Sequence, residues 1–229
     1  MKRSEINQYI REAEAFLADN KFKLPPFAAW TLEQWKEHKA KGDIESIIDC
    51  GLGWDVTDFG FEDYLKIGLF LFTIRNGLQH SEKYPKPYAE KIMIVREKQV
   101  TPFHYHGFKM EDIINRAGGR LAFRLYNSTP DNKLADTPVT VYRDGVKFTI
   151  PAGEVFDIGN GESVTLTQGI YHEFWGVEGT GLVMVGEVSV VNDDHNDNIF
   201  LEAPKRFPSI IEDEAPYRLL CGDYEKFLK

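Results

Sequence analysis

The chain has 229 residues, 42% of them hydrophobic, which supports one barrel-sized domain with a substantial core, or at most two small ones, and a single domain over 1–229 is the simpler expectation. A formal net charge of -9 argues against a sequence-independent nucleic-acid binder, which needs a basic surface to displace phosphate counterions. The opening Met1-Lys-Arg-Ser-Glu-Ile-Asn-Gln has no apolar secretory stretch and no later run is long enough to span a bilayer as a helix, so a cytoplasmic protein without a membrane partner is expected.

In chain order the helices come first. Residues 4–18 carry Ile6, Tyr9, Ile10, Ala13, Phe16 and Leu17 at helical spacing, which predicts an amphipathic helix laid on a core. Thr31-Leu-Glu-Gln34 reads as a capping box that opens a second short helix. The texture then changes to short apolar or alternating runs at 69–74, 91–97, 120–126, 139–143, 147–150, 154–158, 163–166, 171–175 and 182–191, the pattern of a sandwich or barrel. Asp144-Gly145 between two of these runs is the strongest hairpin turn, and Gly118-Gly119 and Gly159-Asn-Gly161 mark others. The expected division is a helical N-terminal extension over 1–65, a β-barrel over 66–200 and a C-terminal tail over 201–229. The prolines from Pro204 to Pro216 suggest an irregular tail that wraps over the barrel or a neighbouring subunit. Cys50 and Cys221 have neither metal nor redox spacing and read as idle or buried thiols.

The chemistry concentrates in His104-Tyr-His106-Gly-Phe-Lys-Met-Glu111. Side chains alternate along a strand, so His104 and His106 share a face while Tyr105 points away. Glu111 returns an oxygen after the Gly107 bend. Two imidazoles and one carboxylate suit a first-row divalent ion with positions left open for substrate. On its own an H-x-H pair is a weak motif and fits a polar strand face equally well. Glu187 and Ser189 alternate onto one face of the 182–191 run, either into a cavity or out to solvent. The Asn192–Asn198 acidic segment does not fit a calcium loop: counted from Asp193, the required glycine and glutamate positions hold Asn198 and Pro204. No G-x-G-x-x-G follows a strand, which counts against a nicotinamide-dependent enzyme.

These blocks resemble the paired motifs of the cupin superfamily. In the first motif, G-x5-H-x-H-x3-4-E-x6-G, His104, His106, Glu111 and Gly118 fall into register, with Lys98 in place of the opening glycine. In the second, G-x5-P-x-G-x2-H-x3-N, Gly161, Gly169 and His172 match, with Thr167 for the proline and Gly176 for the asparagine. Nearly the whole chain is also similar to the D-lyxose isomerases, through the run from His104 to Gly119 and through Gly186-Glu-Val-Ser-Val-Val-Asn-Asp-Asp194 with Asp197-Asn-Ile-Phe200 after it.

The resemblance implies a mainly β fold, a cupin-type β-barrel or jelly roll with N-terminal α-helices packed outside. It implies a metal held by His104, His106, Glu111 and His172, with manganese expected and iron, cobalt or zinc as other candidates. It further implies an aldose–ketose isomerase acting on a monosaccharide, D-lyxose with D-xylulose first and D-mannose with D-fructose more slowly, and a homodimer. Lys109 and Glu111 are the catalytic candidates. If the ion's field and partial burial lowered its pKa, Lys109 would shuttle a proton or stabilise the enediolate oxygen; the alternative is an exposed loop lysine. Glu187, Asp197 and Arg206 are the candidates for sugar contact, with Asp197 accepting from hydroxyls and Arg206 ordering the acidic loop. Phe103, Phe108 and Trp175 would offer apolar walls or simply belong to the core. An iron-dependent dioxygenase and a silent sugar-binding cupin are the competing readings.

Overall fold

Residues 69–75, Leu-Phe-Leu-Phe-Thr-Ile-Arg, are apolar on both faces of a strand, so each face needs cover. The computed structural model, which describes residues 1–193, 197–202 and 209–229, supplies it with a second sheet on one side and helices on the other. The helices are α1 (Arg3–Asp19), α2 (Leu32–Lys41), α3 (Glu45–Asp49) and, near the C-terminus, α4 (Tyr224–Phe227). The strands are β1 (Gly53–Thr57), β2 (Leu69–Arg75), β3 (Tyr88–Val95), β4 (Thr101–His106), β5 (Glu111–Gly118), β6 (Leu121–Ser128) and β7 (Leu134–Ala135). They continue as β8 (Val139–Arg143), β9 (Val146–Ile150), β10 (Val155–Ile158), β11 (Ser163–Leu166), β12 (Ile170–Gly176), β13 (Val183–Val190) and β14 (Asn198–Phe200).

One sheet runs β1-β2-β3-β13-β5-β11-β8-β9 and the other β10-β6-β12-β4-β14, with β7 paired to β6. The named strands pair antiparallel throughout, and the two curled sheets close on each other as the cupin-type barrel. Between them Leu71, Met93, Ile113, Phe123, Leu125, Phe174, Val183 and Val185 form the interior core. Phe70, Phe72, Ile92, Ile94 and Met184 alternate to the outer face, where Ile6, Ile10, Ala13 and Leu17 of α1 cover them. Each large apolar side chain buried in this layer contributes roughly 1.5–3 kcal/mol, so tertiary packing rather than propensity holds α1 in place.

The turns follow their chemistry. Thr31 Oγ1 accepts from the Gln34 N–H at 3.3 Å and Gln34 Oε1 from the Thr31 N–H at 2.9 Å, the reciprocal pair read from the sequence. Asp144 and Gly145 both take positive φ, 50° and 82°, in the tight turn between β8 and β9. Lys98, standing where the cupin motif has glycine, itself adopts φ 59°, so the turn survives the substitution. Gly176 replaces the motif's asparagine where an added Cβ would lie 2.6 Å from the Arg96 carbonyl oxygen, which leaves room only for glycine.

Two expected boundaries shift. Residues 53–57, inside the segment expected to be helical, form β1 and extend the sheet at its edge. Of the expected tail, 203–208 with Pro204 lie outside the described residues; from 209 on it is irregular only in part, since α4 and its neighbours Leu219 and Leu228 join Trp35 and Ile44 in a small apolar cluster. The tail packs on the chain's own helices. Fully buried Arg3 donates to Asp223 at 2.7 and 2.9 Å and to Glu212 at 2.8 and 2.9 Å, which ties the two ends of the chain together. Among the described residues no helix is long and apolar enough to cross a membrane.

Removing one member of a buried ion pair leaves the other charge uncompensated, at a cost of about 3–5 kcal/mol. Arg3→Met should therefore lower the unfolding free energy by that amount, read as a lower urea midpoint at an unchanged m-value, and an unaltered midpoint would show that Asp223 finds solvent or another partner.

Candidate active site

On three strands the groups of the barrel's interior site are the next same-face positions beyond core residues. On β13 the inward Val183 and Val185 are followed by Glu187 and Ser189; on β3 Val95 and Met93 lead back to Lys91; on β5 Ile113 leads back to Glu111. On β12 His172 stands between the core residues Ile170 and Phe174. On β4 His104 and His106 face inward, while Tyr105 turns outward to meet the Tyr171 ring at 4.7 Å. The resulting cavity, about 530 Å³ with its open mouth, lies on the seam between the two sheets.

The three histidines come together as the sequence suggested, with one ligand-capable atom of each within 4.8 Å of the others. Two have their tautomers set by the backbone. Nδ1 of His104 meets the Pro102 carbonyl at 2.8 Å and Nδ1 of His172 the Ile170 carbonyl at 3.0 Å, so these nitrogens donate and both Nε2 lone pairs remain available. His106 Nδ1 lies 3.8 Å from an Asp197 carboxylate oxygen. Glu111 Oε1 stands 3.2 Å from His172 Nε2 and 3.4 Å from His106 Nε2. Both ring nitrogens of His106 and Nε2 of His172 are buried without a hydrogen-bond partner, so the cluster has the donor set and the unmet lone pairs that fit a divalent cation.

Beside the imidazoles runs a row of alternating buried charges. Lys109 Nζ lies 2.7 Å from Glu111 Oε2 and 2.9 Å from Glu187 Oε1; Lys91 Nζ lies 3.3 Å from Glu187 Oε1 and donates to Asn192 Oδ1 at 2.7 Å. In the ion-free site two effects oppose each other at Lys109. Burial does lower the Lys109 pKa, but the adjoining Glu111 and Glu187 carboxylates outweigh it and hold the ammonium above the ordinary lysine range. Burial raises both carboxylates, yet Lys109 holds Glu111 well below its usual value, and Lys109 with Lys91 does the same in lesser degree for Glu187. Nor is Lys109 an exposed loop residue, since only 3% of it is accessible.

The remaining expectations divide. Glu187 and Ser189 do face the interior, and the Ser189 hydroxyl lies 3.1 Å from Glu187 Oε1. Asp197 does not present its carboxylate to the cavity. Its oxygens accept from the Phe108 and Lys109 N–H groups at 2.6 and 2.9 Å, which clamps the turn carrying Lys109. Arg206 lies outside the described residues. Of the aromatic candidates, Phe103 packs edge-on to Tyr126, Phe108 is half exposed and Trp175 lies under Arg124. The cavity's aromatic wall is instead Phe59, Phe174 and Phe200, with Phe200 stacked on His104 at 5.2 Å.

Sequence reading missed Lys91, Thr101, Phe59, Asn198 and Phe200. Lys91 had a signal, since it continues the inward register of Met93 and Val95. Asn198 and Phe200 lay in a run that carried the family resemblance, but nothing local placed them in the cavity, which they reach through the pairing of the short β14 with β4.

Burial, then the neighbouring imidazoles, keep His104 well below its usual pKa of 6.5, and burial, then Lys109, lower His106. In the metal-free protein the unfolded chain therefore binds protons near pH 6.5 that the folded one does not. Stability is undiminished above that pH and declines as pH falls below it. The unfolding midpoint of metal-free protein should drop between pH 7 and pH 5, with a shallower slope in His104→Gln; identical slopes would contradict the buried neutral imidazole.

The D-lyxose isomerase family model matches residues 1–224. A D-lyxose/D-mannose isomerase of Serratia proteamaculans is 48% identical over 228 residues, 100% of each chain. Another, from Escherichia coli O157:H7, is 45% identical over 227 residues, 99% of this chain and 100% of its own. Among solved structures, Cellulomonas parahominis L-ribose isomerase with L-psicose superposes with a TM-score of 0.60 at 16% identity, over 92% of this chain and 98% of that one, a likeness of fold. Matched over residues 1–224 by the family model and over 99–100% of its length by relatives near half identity, the chain belongs to the D-lyxose isomerase family and is an aldose–ketose isomerase.

Proposed function

We propose that the protein interconverts D-lyxose and D-xylulose, and D-mannose and D-fructose more slowly, with one divalent ion held by His104, His106, His172 and Glu111. Manganese is the expected ion, because nitrogen and oxygen ligands with open positions suit it and no cysteine is near. When bound, the ion supplies Lewis-acid polarisation of two adjacent sugar oxygens. The observation that carries the reading is the buried Glu111–Lys109–Glu187 row beside the three imidazoles.

Isomerisation takes a proton from C2, returns it to C1 and moves a hydroxyl proton from O2 to O1. With Glu111 engaged at the ion, Glu187, the other carboxylate lining the cavity, carries the carbon-bound proton between C2 and C1. Lys109, kept as an ammonium, donates to the sugar oxygen on which negative charge develops. Lys91 keeps Glu187 ionised between turnovers. The apolar wall of Phe59 and Phe200 excludes water from the C–H face of the sugar. The names of the two full-length relatives support both sugars. D-Lyxose and D-mannose share configuration at C2 and C3, and one additional carbon at the far end is discriminated by only ~1–3 kcal/mol in an ordinary pocket.

Chelation should abolish ketose formation and manganese should restore it, while His172→Ala should lose both the ion, measured by elemental analysis, and the activity; full turnover by metal-free protein would overturn the metal assignment. Lys109→Met and Glu187→Gln should keep the ion and lose about 10²-fold or more in kcat, since each removes a group that acts in the transition state. Unchanged kcat in either would remove that residue from the chemistry. In a ketose assay at equal concentrations D-lyxose should exceed D-mannose, and D-mannose should exceed D-xylose, the C2 epimer of lyxose; a faster D-xylose reaction would defeat the substrate assignment.

A further inference from the structure

Thr101 is a polar residue of the cavity that belongs neither to the charge row nor to the imidazole cluster. Thr101 is 2% exposed and lines the cavity, and its Oγ1 is buried without a hydrogen-bond partner. Its inward aim has a backbone cause. Between β4 and β12 the register runs His104↔His172 and then Thr101↔Phe174, so three steps on β4 oppose two on β12. That extra residue is a β-bulge, and bulges beside functional sites re-aim side chains. In a regular strand with His104 facing inward, position 101 would face outward; the bulge turns it in. Pro102 occupies the bulge, where its missing N–H breaks no ladder bond.

The bulge sets the Thr101 hydroxyl opposite Phe174, on the core side of the histidine layer. The cavity walls there are apolar, contributed by Leu69, Leu71, Met93, Ile113 and Phe174. Lys91, Lys109, Glu111 and Glu187 pair with one another and do not satisfy it. A buried hydroxyl without a partner is destabilising, and a sugar hydroxyl, able both to donate and to accept, meets its needs.

We infer that Thr101 is a specificity-determining residue whose Oγ1 hydrogen-bonds one hydroxyl of the bound sugar other than the two oxygens at the reacting carbons. The inference rests on the aldose reading above and adds to it a named contact and a selection rule: aldoses with a hydroxyl at that position are favoured over those without one.

The test is Thr101→Val, which keeps the shape and removes the hydroxyl, with Thr101→Ser as the conservative control. Both are assayed with manganese on D-lyxose and on its single-deoxy analogues lacking the C3, C4 or C5 hydroxyl. Thr101→Val should lose about 2–13-fold in kcat/KM on D-lyxose, the range of one neutral hydrogen bond. The loss should vanish for the one deoxy analogue that lacks the partner hydroxyl, and Thr101→Ser should stay near the parent. Because the substitution removes an unsatisfied group, the ligand-free Thr101→Val protein should unfold at a temperature no lower than the parent. Undiminished kcat/KM in Thr101→Val, the result expected if an ordered water occupies the spot, would overturn the inference, as would an equal loss on every sugar. Parent turnover of D-lyxose is the control: its absence would fail the substrate reading, whereas normal parent turnover with an indifferent Thr101→Val would fail Thr101 alone.

Discussion

The structure is organised around one buried ammonium. Lys109 stands between Glu111 and Glu187 at 2.7 and 2.9 Å, with all three side chains shielded from solvent. At an effective dielectric near 20 each contact is worth about 6 kcal/mol of Coulomb attraction, while removing each ion from water costs several kcal/mol. The two nearly offset, so the row adds little to stability, and apolar side chains of similar size would fold as well. What the row provides is a fixed charge pattern in a cavity: an ammonium held between two carboxylates, Glu111 beside the imidazoles and Glu187 between Lys109 and Lys91. Such preorganised charge needs no rearrangement as a reaction proceeds, which is where electrostatic catalysis gains most.

The fold makes that row possible by burying both faces of its central strands. β2, β3 and β13 lie with α1 on one face and the second sheet on the other, so they are rigid and dry, and their ends can hold charge without admitting water. The inward register is apolar at one end of each strand and charged at the other. On β13 it passes from Val183 and Val185 to Glu187 and Ser189 within a single strand. Asp197 completes the frame by clamping the N–H groups of Phe108 and Lys109, so the turn that carries the ammonium is held from the partner strand's side.

Much of this was legible in the sequence, for local reasons. The strand periods from β8 to β13, the α1 face and the Thr31 cap depend on near neighbours, and the histidine pair depends only on strand alternation. Less legible was whatever depended on distant partners. Lys109 meets Glu187, 78 residues away, as well as its near neighbour Glu111. The role of Asp197 turns on two backbone N–H groups that it meets only because β14 pairs with β4. The bulge that turns Thr101 inward is a property of the β4–β12 register, and no turn residue announces it. Phe59 reaches the cavity from a loop, at a φ of 52° that the sequence gives no reason to expect of a phenylalanine.

A carboxylate beside a fixed ammonium moves a proton through a group that exchanges with solvent, whereas a hydride shift would carry the C2 hydrogen across intact. Conversion of D-lyxose in deuterium oxide with the manganese-loaded protein, followed by proton NMR of the D-xylulose formed, separates the two most directly. Proton transfer through Glu187 predicts deuterium at C1 of the ketose, and a product that carries the original hydrogen with no solvent deuterium would contradict it.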